Sequence, residues 1–177
     1  MKRKQLIRGL PPPNPDEEVE EVKDITVSIL DGTVIVQMLK PMQSKNFKEY
    51  AENIFTNYEK MLARKRSLHL VFDVYQTNSL KTSTRQARGS GIRLRLQDDA
   101  PMPRKWSMLL RCDTNKRELF GYLAEFTIKK FRNAREVFVT IGNTVKCSMD
   151  GYDLSELSPC THEEADTRMI LHSLHEA

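Results

Sequence analysis

Two β-branched runs bracket one amphipathic helix, and that order constrains the fold of this chain more than any other feature. Ile25-Thr26-Val27-Ser28-Ile29-Leu30 reads as a core strand that stops at Asp31-Gly32, and Leu68-His69-Leu70-Val71-Phe72 reads as a second strand that stops at Asp73. Between them, Asn46 to Arg66 carries Phe47, Tyr50, Ala51, Ile54, Phe55, Tyr58, Met61 and Leu62 on one face at helical spacing. Asn46 with Glu49 makes a capping box at its start, and Arg64-Lys65-Arg66 suits the negative end of its dipole. Strand, helix, strand in this order predicts a right-handed βαβ unit with parallel strands. Asp31 and Asp73 then both lie at carboxyl ends, where open α/β sheets place their ligand sites.

The rest of the chain extends this pattern. The run Thr33 to Leu39 begins a helix or prolongs the strand, and Pro41 ends it. Trp106 to Leu110 is an apolar patch with strand character, and Asn115 with Glu118 gives a second capping-box pattern opening a helix to Phe131. Val137-Phe138-Val139-Thr140-Ile141 is a strand, with Gly142-Asn143 as a hairpin turn into Thr144-Val145-Lys146-Cys147. A last helix runs from about His162 to His175. The prediction is one α/β domain over 24–177, with a mainly parallel central sheet and helices on both faces. Residues 1–23, a basic start, Pro11-Pro12-Pro13 and an acidic block, read as a flexible tail.

The bulk numbers narrow the function classes. At 177 residues, with 29% charged and 39% hydrophobic, the chain suits one domain with a full core. No apolar run has the length of a membrane span, and no secretory signal opens the sequence. Cys112, Cys147 and Cys160 lack CxxC spacing, which argues for a reducing compartment, nuclear or cytoplasmic, and against a standard zinc site. Residues 76–105 carry Lys81, Arg85, Arg88, Arg93, Arg95, Arg104 and Lys105 against only Asp98 and Asp99. This segment predicts a mobile basic arm for nucleic-acid backbone, with Lys81, Arg85, Arg88, Arg93 and Arg95 as its contacts.

The candidate chemistry lies in the acids. Pro159-Cys160-Thr161-His162-Glu163-Glu164-Ala165-Asp166-Thr167-Arg168 places three carboxylates within 163–166, at the expected start of the last helix. If that helix begins beside the strand ends, Asp31, Asp73, Glu164 and Asp166 converge, with Glu118 on the middle helix as a further ligand. Such oxygen ligands suit Mg²⁺ or Mn²⁺, and phosphodiester hydrolysis uses such ions. The plainer account is a capped helix: Thr161 with Glu164 as a capping box, Glu163 and Asp166 serving the dipole, Asp31 in a turn and Asp73 capping whatever follows.

At Leu30-Asp31-Gly32, Val71-Phe72-Asp73 and Pro159 through Asp166, the sequence resembles the PIN-like superfamily, in particular its flap-endonuclease branch. The stretch His162 to Arg168, with Asn115 to Phe120, also resembles a group of transposon-associated animal reading frames. The resemblance implies a three-layer nuclease fold dependent on magnesium or manganese, with Asp31, Asp73, Glu164 and Asp166 as catalytic acids. Val74 stands where the family has glycine, and Asp166 where it has a second glutamate. The family's next strand, ending in Asp-x-Asp, would fall beyond Ala177, so the resemblance also implies a domain incomplete at its C-terminus and little or no cleavage. A non-catalytic nucleic-acid-binding module and a pure interaction module are the alternatives.

Overall fold

The computed structural model describes residues 26–75 and 91–177. The tail, and Lys81, Arg85 and Arg88 of the predicted arm, lie outside these residues. In chain order the elements are β1 (Val27–Asp31), α1 (Gly32–Met38), α2 (Phe47–Leu62), β2 (Ser67–Val71), α3 (Trp106–Leu110), α4 (Asp113–Phe131), β3 (Glu136–Ile141), β4 (Thr144–Cys147) and α5 (Ala165–His175). The sheet order is β1-β2-β3-β4. The first three strands are parallel, with Leu30 beside Leu70 and Leu68 beside Val137, and β4 returns antiparallel through the Gly142-Asn143 turn. The α/β prediction with a mainly parallel sheet holds.

Side-chain alternation along β2 divides the interior, because successive residues of a strand point to opposite faces. Leu68 and Leu70 enter the main core with Phe47, Tyr50, Ile54, Tyr58 and Leu62 of α2 and Leu119 and Leu123 of α4. His69 points the other way and meets His172 of α5. A smaller cluster on that side holds Phe138, Val145 and Leu157, with Leu171 of α5 against it. All five residues of β2 are buried, as a parallel strand covered on both faces requires. In α2, Asn46 caps as expected by accepting the Glu49 N–H at 2.9 Å. Phe55 and Met61 sit at the margin of the stripe, Met61 exposed.

One open alternative is settled and three local expectations are corrected. The 33–39 run is helical because the Asp31 carboxylate holds the first free N–H groups of α1. Trp106 to Leu110 is a helical turn, since Trp106 and Leu109, three apart, both face the core and the Trp106 indole N–H donates to the Val36 carbonyl at 3.2 Å. Asn115 lies inside α4 rather than at its start, fully buried. Its amide donates to the carbonyls of Ile92 and Leu109, while its oxygen accepts from the Leu94 N–H and the Arg93 guanidinium.

The third correction concerns the basic arm. Its described part, 91–105, is a docked strap. Leu94, Leu96, Ala100 and Met102 rest on the core. The N–H groups of Phe47 and Lys48 donate to the carbonyls of Ala100 and Asp98, and Met102 donates to Lys45. The Tyr122 hydroxyl adds a 2.9 Å bond to Asp98. Leu94 and Leu96, set between the basic residues, help bind this strap down.

Candidate functional site

β1 and β2 end side by side, with Asp31 in register with Val71. Each strand delivers an aspartate to the same edge, and each aspartate receives helix N–H groups. Asp31 Oδ1 accepts from the N–H of Thr33 at 2.7 Å and of Val34 at 3.1 Å. Asp73 Oδ1 accepts from the N–H of Ala165, the first residue of α5, at 2.8 Å. The Thr33 hydroxyl donates to Asp73 Oδ2 at 3.4 Å and so joins the two aspartates. Alongside, the Val74 N–H donates to the Glu163 carbonyl at 2.9 Å, fastening the segment before α5 to the end of β2.

The Asp73 carboxyl is pushed above the ordinary carboxylate range. Burial is the main cause; the negative charges of Asp31 and Glu164 add to it, while the bonds from Ala165 and Thr33 oppose it. The charges of Asp31 and Glu164 both reach the Asp73 carboxyl. The other two acids differ. Asp166 is exposed and borders a groove with Ile29, Met169, Ile170 and Ser173. Glu118 forms an ion pair with Arg93, one of the predicted backbone contacts, so neither side chain is idle. Arg95 is exposed on the strap.

α5 begins at Ala165, three residues later than predicted from His162, and Thr161 forms no cap; Glu164 takes the N-cap position without a side-chain cap bond, and the cap comes across the fold from Asp73. What holds α5 in place was not read from the sequence. His69 Nδ1 and His172 Nδ1 are 2.7 Å apart in a buried contact, and His69 Nε2 is 2.7 Å from Glu176. A carboxylate only accepts, so His69 carries its proton on Nε2 and accepts from the Nδ1–H of His172. Arg168 is also buried, at 1% exposure. Its guanidinium donates to the Phe72 carbonyl at 3.2 Å, while Nε and Nη2 have no hydrogen-bond partner among the described residues. Burial pulls its pKa down, with the Cys160 side chain and the Asp73 charge pulling the other way. Ala165, Arg168 and His172 are the buried residues of α5, at i, i+3 and i+7.

The donor set at this edge is carboxylate and hydroxyl oxygen, the chemistry hard divalent cations accept. Among the described residues, no three or more His, Cys, Asp or Glu side chains are arranged to hold a metal ion as they stand. No helix of the described residues is long and apolar enough to cross a membrane. No family model, curated protein or solved structure matches the chain.

Proposed function

We propose that this chain is a nuclease-like domain of PIN-like, three-layer design that binds nucleic acid and takes one Mg²⁺ or Mn²⁺ ion at the acidic edge, with little or no cleavage. The observation that carries the reading is the raised Asp73 carboxyl between the Asp31 and Glu164 charges at the ends of adjacent parallel strands. Like charges held close are relieved by a divalent cation. Asp31, Asp73 and Glu164 would hold the ion, which would supply charge neutralisation for a phosphate group. Magnesium retains several waters, so a partial set of carboxylates is adequate for binding. A pair of ions needs more oxygen ligands than these three acids offer.

A second reading is favoured by one specific observation. Asp31 and Asp73 each accept helix N–H groups, so both have a structural occupation that needs no metal. On this reading the chain is a non-catalytic binding module. Thermal unfolding with and without 10 mM Mg²⁺ or Mn²⁺ separates the two. For an affinity near 1 mM, mass action predicts about 1.4 kcal/mol of stabilisation, a shift of roughly 3–6 °C, abolished in Asp73→Asn. No shift, or an equal shift in that variant, selects the second reading.

A further inference from the structure

The described residues hold a second candidate site that none of the predicted residues touches. Where α1 ends and α3 begins, an open cavity of about 670 Å³ is lined by Gln37, Lys40, Trp106, Ser107, Leu110 and Arg111. It has two cations and no carboxylate in its wall. Several cations elsewhere on the surface have acidic partners: Arg93 with Glu118, Lys116 with Asp113, Lys146 with Glu125, Lys130 with Glu52. Among the described residues Lys40 and Arg111 form no ion pair, and both are exposed. Arg104 and Lys105, also exposed, lead directly into the cavity wall at Trp106. Its floor is rigid: Trp106 is nearly buried, bonded through its indole to Val36 and edge-on to Tyr50 at 5.0 Å.

We infer that this cavity is a phosphate subsite for a nucleic-acid strand, with Lys40 and Arg111 as its cationic contacts and Gln37 and Ser107 as neutral donors. Unpaired cations on a fixed frame are what backbone phosphates bind, and such contacts position a strand without reading its bases. Its location sets a spacing to the acidic edge. α1 connects them, starting at the Asp31 cap and ending two residues before Lys40. Seven helical residues span about 10 Å, the rise of roughly three base pairs of duplex. At that spacing, a strand held at the cavity has the acidic edge within a few nucleotides' reach. The inference deepens the proposed function and rests on it for the nature of the ligand.

Trp106 is the chain's one tryptophan, so its fluorescence reports on the cavity directly. The full-length protein is titrated with a single-stranded 20-mer DNA at several salt concentrations, as wild type, as Lys40→Gln/Arg111→Gln and as the charge-matched control Arg64→Gln/Lys129→Gln, whose sites are exposed on α4 and just beyond α2. The expected result is a change in Trp106 emission on binding. Affinity should fall about tenfold in the cavity variant and the salt slope by one to two, with the control near wild type. Equal weakening in both variants, or none in the cavity variant, overturns the subsite. So does displacement of the oligonucleotide by inorganic phosphate at equal phosphate concentration, which marks a small-anion site instead. A Mg²⁺ melting shift with unchanged DNA binding by the cavity variant removes the subsite alone. Cavity-dependent DNA binding without any Mg²⁺ effect removes the metal reading and leaves the subsite standing.

Discussion

Asp73 Oδ1 accepts the backbone N–H of Ala165 at 2.8 Å across ninety-two residues of sequence. One side chain, two residues beyond β2, thus caps α5 and is joined through Thr33 to Asp31 at the acidic edge. Its geometric and electrostatic roles oppose each other. The cap stabilises α5, while burial and the neighbouring acids disfavour its charge.

These roles separate by substitution. Asp73→Ala loses the cap and should cost about 1–2 kcal/mol in urea unfolding at pH 7. Asp73→Asn keeps an accepting oxygen and removes the charge, so it should be neutral or stabilising. The sign with pH follows from the raised folded pKa. The folded state favours the protonated carboxyl, so this group's stabilising contribution is present at low pH and lost as pH rises through its folded pKa. The advantage of Asp73→Asn over wild type should therefore be larger at pH 7 than at pH 4. An Asp73→Asn variant as unstable as Asp73→Ala would refute the electrostatic half of the account.

The histidine contact predicts the opposite pH behaviour. Burial, then the nearby charges of His69, Arg168 and His175, press His172 down to about 3. Burial also lowers His69, against the pull of Glu176, with His175 and Arg66 reinforcing the burial. Folded pKa values below the unfolded one mean that the unfolded chain binds protons first. Stability should fall as pH drops below about 6.5, by about 2 kcal/mol at pH 5 for His172 alone. His172→Asn, whose amide can still donate to His69, should flatten this acid limb. Urea midpoints between pH 7.5 and 5 measure it, and a limb of unchanged steepness would count against the buried pair.

Asn115 joins α4 to the strap through three hydrogen bonds and to the Leu109 carbonyl of α3 through a fourth. Asn115→Ala leaves buried backbone groups without partners and should cost about 2–3 kcal/mol. The Leu94 amide should then exchange with solvent faster than in wild type. The neighbouring Arg93–Glu118 pair is half exposed, so Glu118→Ala should cost less than about 1 kcal/mol. Equal costs at the two positions would contradict this division.

The sheet, α2 and the meeting of Asp31 with Asp73 were legible because each depends on local periodicity and on the handedness of one crossover. What failed shares a cause. Asn115 and Glu118 match a capping box by spacing, but tertiary partners claimed both side chains: the strap took the amide and Arg93 the carboxylate. Thr161 with Glu164 fails because a distant aspartate occupies the α5 terminus first. In α5 the usual polarity is reversed, with Arg168 and His172 inside and Ile170 and Leu174 exposed, so hydropathy alone points its stripe outward. Only a partner strand carrying an inward-facing polar residue, His69, makes that face acceptable, and no local window contains that pairing.

Gly32 presents the closest approach in the site. A Cβ added there would lie 2.3 Å from Cε1 of Phe72, well inside contact distance. The obstacle is a ring that cannot easily turn aside, since Phe72 is buried and stacks on Phe120 at 4.6 Å. Gly32 begins α1 directly after the Asp31 cap, so displacement at this point shifts the cap as well. Gly32→Ala should therefore cost about 1–3 kcal/mol, the range for overpacking a filled interior, although alanine is the better helix former. If the ring is the cause, shortening it should relieve the penalty. Phe72→Leu alone loses the stack and core volume, yet Gly32→Ala introduced into that background should cost clearly less than in wild type. A double-mutant cycle by urea unfolding gives the coupling, expected at 0.5–3 kcal/mol in the compensating direction. Strict additivity would show that Gly32 is required by the backbone of the Asp31-Gly32 junction and not by the ring above it.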